Sequence, residues 1–172
     1  NGQTASGQTG QGCTQSGGTS AGNCRGADNL AEFLRQRTKI VEALTALNAD
    51  AVGLMEIQNN GSTAAQNLVD ALNAQVGAGT YAVVPDPAAG TGTDAIKVAM
   101  IYKPGRLSLV GGALSDTAAV NSRPTLAQTF QAANGERFSL VVNHLKSKGS
   151  CPAASDADAP GNVDSGDGQG CW

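Results

Sequence analysis

Three side chains fall where the chain's own patterning puts the ends of strands, and each has a type suited to metal or phosphate chemistry. Glu56 closes the apolar run Ala51-Val52-Gly53-Leu54-Met55. A carboxylate at the end of a buried strand is a hard oxygen ligand for Mg²⁺ or Ca²⁺; the plainer alternative is a capping or salt-bridging glutamate. His144 follows Phe138–Asn143 at the end of another apolar run, and alone it is either a site residue or a satisfied structural histidine. Arg123 sits between Ser122 and Pro124. A guanidinium fixed by the following proline offers a two-pronged fork to a phosphate, against the bland reading of a surface arginine. Lys146 and Lys148 add positive field beside His144. Asp156, Asp158, Asp164 and Asp167 either form a Ca²⁺ loop or a solvated acidic loop. The chain has no phosphate-binding loop, HExxH or helix-opening GxGxxG.

Those residues need a scaffold, and the middle of the chain supplies it. The spacing predicts a helix over about 28–47, with Asn29 and Glu32 as a capping box. Phe33, Arg37, Ile40, Leu44 and Leu47 recur at three- and four-residue steps, backed by Leu34 and Val41. Residues 51–57 read as a buried strand, and 63–76 as a second helix with Leu68, Val69, Leu72 and Val76 on one face. Tyr81–Val84 is a strand closed by Pro85 and Pro87. Residues 95–103 alternate, Ile96, Val98, Met100 and Tyr102 opposing Lys97 and Lys103, and 107–110 form another strand. Runs 125–132 and 136–143 flank Asn134-Gly135, a strong hairpin signal. The order is helix, strand, helix, then four or five mostly antiparallel strands, which suits a mixed α/β layer structure.

Composition divides the chain into three. Of its 23 glycines, eight lie in residues 1–27 and five in 149–172. The net charge of −3 separates into +1, 0 and −4 over 1–27, 28–148 and 149–172. That excludes a polybasic protein gripping nucleic acid over a wide surface, and no apolar run approaches the ~20 residues of a membrane span. Cys13 and Cys24, then Cys151 and Cys171, bracket polar Gly-rich loops. Two local disulfides, Cys13–Cys24 and Cys151–Cys171, would restrain those loops; a zinc site is the alternative, though no CxxC spacing is present. Disulfides place the protein in an oxidising, secreted or periplasmic setting. No leader peptide is visible at Asn1-Gly2-Gln3.

Together these runs resemble the endonuclease/exonuclease/phosphatase superfamily, and within it the secreted bacterial nucleases. The residues that carry the likeness are Arg35–Val41, Asn48–Asn59, Asp94–Tyr102, Asn121–Phe130, Val141–Cys151 and Gly166–Trp172, in order along 25–172. The resemblance implies a four-layer α/β sandwich that cleaves phosphodiesters with a divalent metal, Mg²⁺ first and Mn²⁺ or Ca²⁺ as alternatives. Glu56 takes the place of the metal-binding Glu, His144 that of the active-site His, and Arg123 that of a phosphate-contacting Arg. Arg123, Asn143 and Lys97 are further expected to meet substrate. The expected partner is nucleic acid, DNA in the first place, with no membrane and no protein partner implied.

The chain departs from the family pattern at both ends. An Asn-bearing first strand, a Gly-Asp-x-Asn motif and a terminal Ser-Asp-His motif are all missing. Residues 28–148 therefore read as the central part of such a domain, flanked by loops 1–27 and 149–172, and the chain alone is expected to be nearly inactive. The alternatives are a secreted phosphodiesterase or phosphatase of lipid or sugar phosphates, and a secreted module without catalysis.

Overall fold

The computed structural model describes residues 27, 30–118, 121 and 123–145. The four cysteines, the capping Asn29, Lys146, Lys148 and the acidic 156–167 segment lie outside those residues. Eight elements follow in order: α1 (Leu30–Leu47), β1 (Ala51–Gln58), α2 (Thr63–Val76), β2 (Ala82–Val83), β3 (Ile96–Tyr102), β4 (Leu107–Asp116), β5 (Thr125–Ala132) and β6 (Arg137–Val142). They build two three-stranded sheets, ordered β1-β3-β2 and β4-β5-β6, in which every pairing is antiparallel.

The helices cover one face of the first sheet. Val41 and Leu44 of α1 meet Leu68, Val69 and Leu72 of α2 over Ile101 and Tyr81. The buried line of α1 is narrower than its sequence suggested. Ile40 and Leu47, expected inside, flank that line and stay 47% and 61% exposed. Helix α1 ends at Asn48, which takes a left-handed conformation (φ 49°), a conformation Asn tolerates. Lys103 donates to both the backbone and side-chain oxygens of Asn48, each at 2.8 Å, and so satisfies the helix end.

The other face of the first sheet packs on the second sheet. Val84, Val98 and Met100 meet Leu107, Leu126, Phe130 and Val142 there. The arrangement is thus helices, sheet, sheet: a mixed α/β sandwich of three layers, with no helix on the outer face of the second sheet among the described residues. Strand β3 lies at the centre of the first sheet and is buried on both faces over Lys97–Ile101. The expected alternation of an apolar face with an open lysine face is therefore corrected: the helices bury the second face as well. Strand β1, expected to be buried, is instead an edge strand with Gly53, Met55 and Glu56 exposed.

Strand β4 runs to Asp116, past the expected limit of 110. Its Gly111 (φ 71°) sits where the register with β5 shifts between Val110 and Leu114. Gly111 and Gly112 thus form a bulge within the strand. Beyond it the Asp116 carboxyl is held below its ordinary range by the Ala118 backbone N–H and by Asn121.

Candidate active site

The antiparallel order fixes which ends meet. The end of β1, the start of β3, the start of β5 and the end of β6 all lie at one end of the sandwich. Glu56, Asp94, Arg123 and His144 belong to those four ends.

Glu56 and His144 are brought together by a close approach between the two sheets. A Cβ on Gly53 would stand 2.5 Å from Val142 Cγ2, so only glycine lets β1 lie this near β6. Three residues beyond Gly53 is Glu56, and two beyond Val142 is His144; their Oε1 and Nε2 are 3.6 Å apart. Glu56 is 70% exposed on its side chain and His144 only 17%. Glu56 also occupies the left-handed region, φ 60°, within the irregularity of β1 between Leu54 and Ile57. That conformation is costly for a residue other than Gly, Asn or Asp. Such strain gathers at functional sites, where the surroundings impose it.

Arg123 enters from the segment before β5. Its Nη2 lies 3.2 Å from Asp94 Oδ2, in the loop that precedes β3. Gly92 (φ 78°) passes so close to the ring of Pro124 that a Cβ would come within 2.8 Å of it. The proline thus packs on the loop while the neighbouring guanidinium pairs with it. Arg123 Nε and His144 Nδ1 are both buried without a hydrogen-bond partner among the described residues. Buried polar atoms without partners are uncommon and mark a position that a polar ligand would satisfy.

Asn143, expected to meet substrate, is exposed and accepts a 2.7 Å hydrogen bond from Thr125 Oγ1 across β5 and β6. Lys97 is different. Its side chain is 1% exposed, and its ammonium donates to both carboxylate oxygens of Asp86. The structure places it as a buried cation neutralised inside the fold, where the sequence had put it on an open face.

Two site features escaped the reading of single residues. Asp94 is the partner of Arg123, and Asn59 ties the loop that carries Asp94 to the end of β1. The available signal was the polar run Thr91-Gly92-Thr93-Asp94 directly before a strand.

No group of three or more His, Cys, Asp or Glu side chains gathers among the described residues. Glu56 is an exposed carboxylate at this end, beside His144. Mg²⁺ is commonly held by one or two carboxylates with water and substrate phosphate filling its other positions. The donor chemistry of Glu56 fits that demand at its lower limit. No described helix is long and apolar enough to cross a membrane.

No protein-family model matches the chain, and no curated protein does. Among solved structures, humanized D. rerio TDP2 carrying 14 mutations is similar at 16% identity and a TM-score of 0.46, over 65% of this chain and 40% of that one. ANGEL2, a 2′,3′-cyclic phosphatase, is similar at 18% identity and 0.46, over 63% and 31%. An endonuclease/exonuclease/phosphatase from Bacteroides vulgatus is similar at 15% identity and 0.47, over 69% and 48%. The chain spans less than half the length of each of these proteins.

Proposed function

We propose that this chain is the central part of a secreted, metal-assisted phosphodiester hydrolase whose substrate is nucleic acid, DNA in the first place. The observation that carries the reading is the meeting of Glu56 and His144 at one end of the sandwich, 3.6 Å apart, with Arg123 presented at the same end. The ordered sequence resemblance over 25–172 supports it.

Phosphoryl transfer is catalysed chiefly by positioning and by neutralising charge on the phosphoryl oxygens. Three kinds of group at one end answer that need. Glu56 would hold the divalent ion, Mg²⁺ with Mn²⁺ or Ca²⁺ as alternatives. When bound, that ion supplies Lewis-acid stabilisation of the phosphoryl oxygens. Arg123, held on one side by Asp94, turns its remaining donors to a non-bridging oxygen. His144, its ring fixed by burial, donates from a ring nitrogen to a phosphate oxygen or passes a proton there. Asn143 adds a neutral hydrogen-bonding group beside it. Substrate is gripped at one phosphate, so a neutral middle segment suffices. Lys97 takes no part, since Asp86 already neutralises it.

The set is partial: the Gly-Asp-x-Asn and Ser-Asp-His motifs that the resemblance implies are not in the sequence. The 172-residue chain alone therefore turns over substrate little or not at all, and activity belongs to the complete protein. The test is to assay that complete protein on supercoiled plasmid, RNA, sphingomyelin and inositol phosphates, each with Mg²⁺ and with EDTA. Mg²⁺-dependent nicking of plasmid is expected. Turnover confined to the lipid or sugar phosphates would overturn the nucleic-acid reading, and turnover in EDTA would overturn the metal.

A further inference from the structure

Arg123 serves the proposed reaction only if its guanidinium is held in register with Glu56, and the two come from different sheets. The ion pair with Asp94 moves the question one step back, because Asp94 sits in a loop. The loop's anchor is Asn59, 4% exposed and one residue past the end of β1. Asn59 Nδ2 donates to the carbonyls of Gly92 at 3.0 Å and Asp94 at 2.9 Å. Its Oδ1 accepts from Thr91 Oγ1 at 3.0 Å, and its backbone N–H donates to Ala95 O at 2.9 Å. One buried amide thus grips the loop at three residues, Thr91, Gly92 and Asp94, while its own backbone continues the strand that carries Glu56. An amide whose nitrogen holds two backbone carbonyls and whose oxygen holds a buried hydroxyl fixes a loop more firmly than a single half-buried ion pair can.

We infer that Asn59 is a positioning residue: through Asp94 it sets where the Arg123 guanidinium stands relative to Glu56. This rests on the phosphodiesterase reading for what Arg123 is positioned to do. The Asn59-to-Arg123 linkage stands on the geometry alone. Elsewhere in the molecule Asn73 plays a chemically matched role, donating to Tyr81 O at 2.9 Å and accepting from Tyr81 N–H at 2.8 Å. It provides a control with the same kind of loop tether on a different loop.

The experiment follows the Arg123 Nε–Hε signal of the ¹⁵N-labelled full chain by heteronuclear NOE, then adds inorganic phosphate. The expected result is a rigid Arg123 side chain in the parent. That rigidity is lost in Asn59→Ala and in Asp94→Asn but retained in Asn73→Ala, whatever the drop in melting temperature of each. Should Asn59→Ala fail to fold, Thr91→Val removes only the hydroxyl that orients the amide, and an intermediate NOE is expected. An Arg123 signal of parental rigidity in both Asn59→Ala and Thr91→Val, or in Thr91→Val alone where Asn59→Ala does not fold, would overturn the inference. Equal loosening in Asn73→Ala would overturn it too, since the effect would then be general destabilisation. Phosphate reads the function separately. If phosphate leaves the Arg123 signal of the parent unmoved while the NOE pattern holds, the positioning role stands and the phosphate role of Arg123 falls.

Discussion

Glu56 holds an unfavourable conformation at φ 60° while its carboxylate makes only a 3.6 Å contact to His144. The left-handed backbone costs a non-glycine residue about 1 kcal/mol or more, whereas a single 3.6 Å contact from a carboxylate that is 70% exposed returns only about a few tenths. Strain wins that comparison. Glu56→Asn should therefore raise stability by about 0.5–1 kcal/mol, because Asn tolerates this region. It should also remove any shift of the melting temperature by Mg²⁺; a lower melting temperature without Mg²⁺ would contradict the account. Lys97 gives a prediction of the other kind. Asp86→Ala strands a buried ammonium and should cost about 3 kcal/mol, since breaking one side of a buried pair is far worse than removing both charges. Lys97→Met should be milder in a denaturant titration and leave hydrolysis intact. Lost activity in that variant would return Lys97 to the substrate site.

At the scale of elements, Gly53 and Val142 decide whether β1 and β6 can lie close enough for the site to form. Gly53→Ala should force the strands apart or the Val142 side chain off its rotamer, a stiff one because valine is β-branched. Overpacking of this kind costs about 1–3 kcal/mol, and turnover should fall with it. Val142→Ala in the same chain should restore much of both; no recovery would show that the contact does not set the spacing. Much at this scale was legible beforehand. Helix α2 spans the expected 63–76, because Leu68, Val69 and Leu72 share one helical face with no competing signal. The Asn134-Gly135 turn joins β5 and β6 as expected, with Gly135 at φ 87°. The strand-end placement of Glu56, Arg123 and His144 was legible as well, since apolar runs stop near Glu56 and His144 and a strand pattern begins just after Arg123-Pro124. What stayed hidden was long-range. Asp86 as the partner of Lys97, and Asp94 as the partner of Arg123, follow from sheet register, which no local pattern encodes. Helix α1 misled for a related reason. Its apolar stripe is wider than the face α2 covers, so periodicity alone could not say that Ile40 and Leu47 remain outside.

Among the described residues the fold is a three-layer sandwich whose sheets end on β1 and β2 and on β4 and β6, with Met55, Phe138 and Val141 exposed along β1 and β6. Unpaired edges bearing large apolar side chains favour association between chains. The 172-residue chain by itself should therefore sediment with a weight that rises with concentration, and Met55→Lys with Val141→Lys should reduce the rise. A concentration-independent monomer would contradict that. The central claim, that Glu56 and His144 act as one site, is best tested in the longer protein proposed above. The most direct measurement is Mg²⁺-dependent plasmid nicking by Glu56→Gln, by His144→Ala and by the two combined, with melting temperatures recorded beside the rates. Each single change should lower turnover by about 10²–10⁴-fold. The double change should be hardly worse than either alone, as for groups that act as a unit, and folding should be unaltered. Parental turnover in either single variant, or losses that multiply in the double variant, would contradict it.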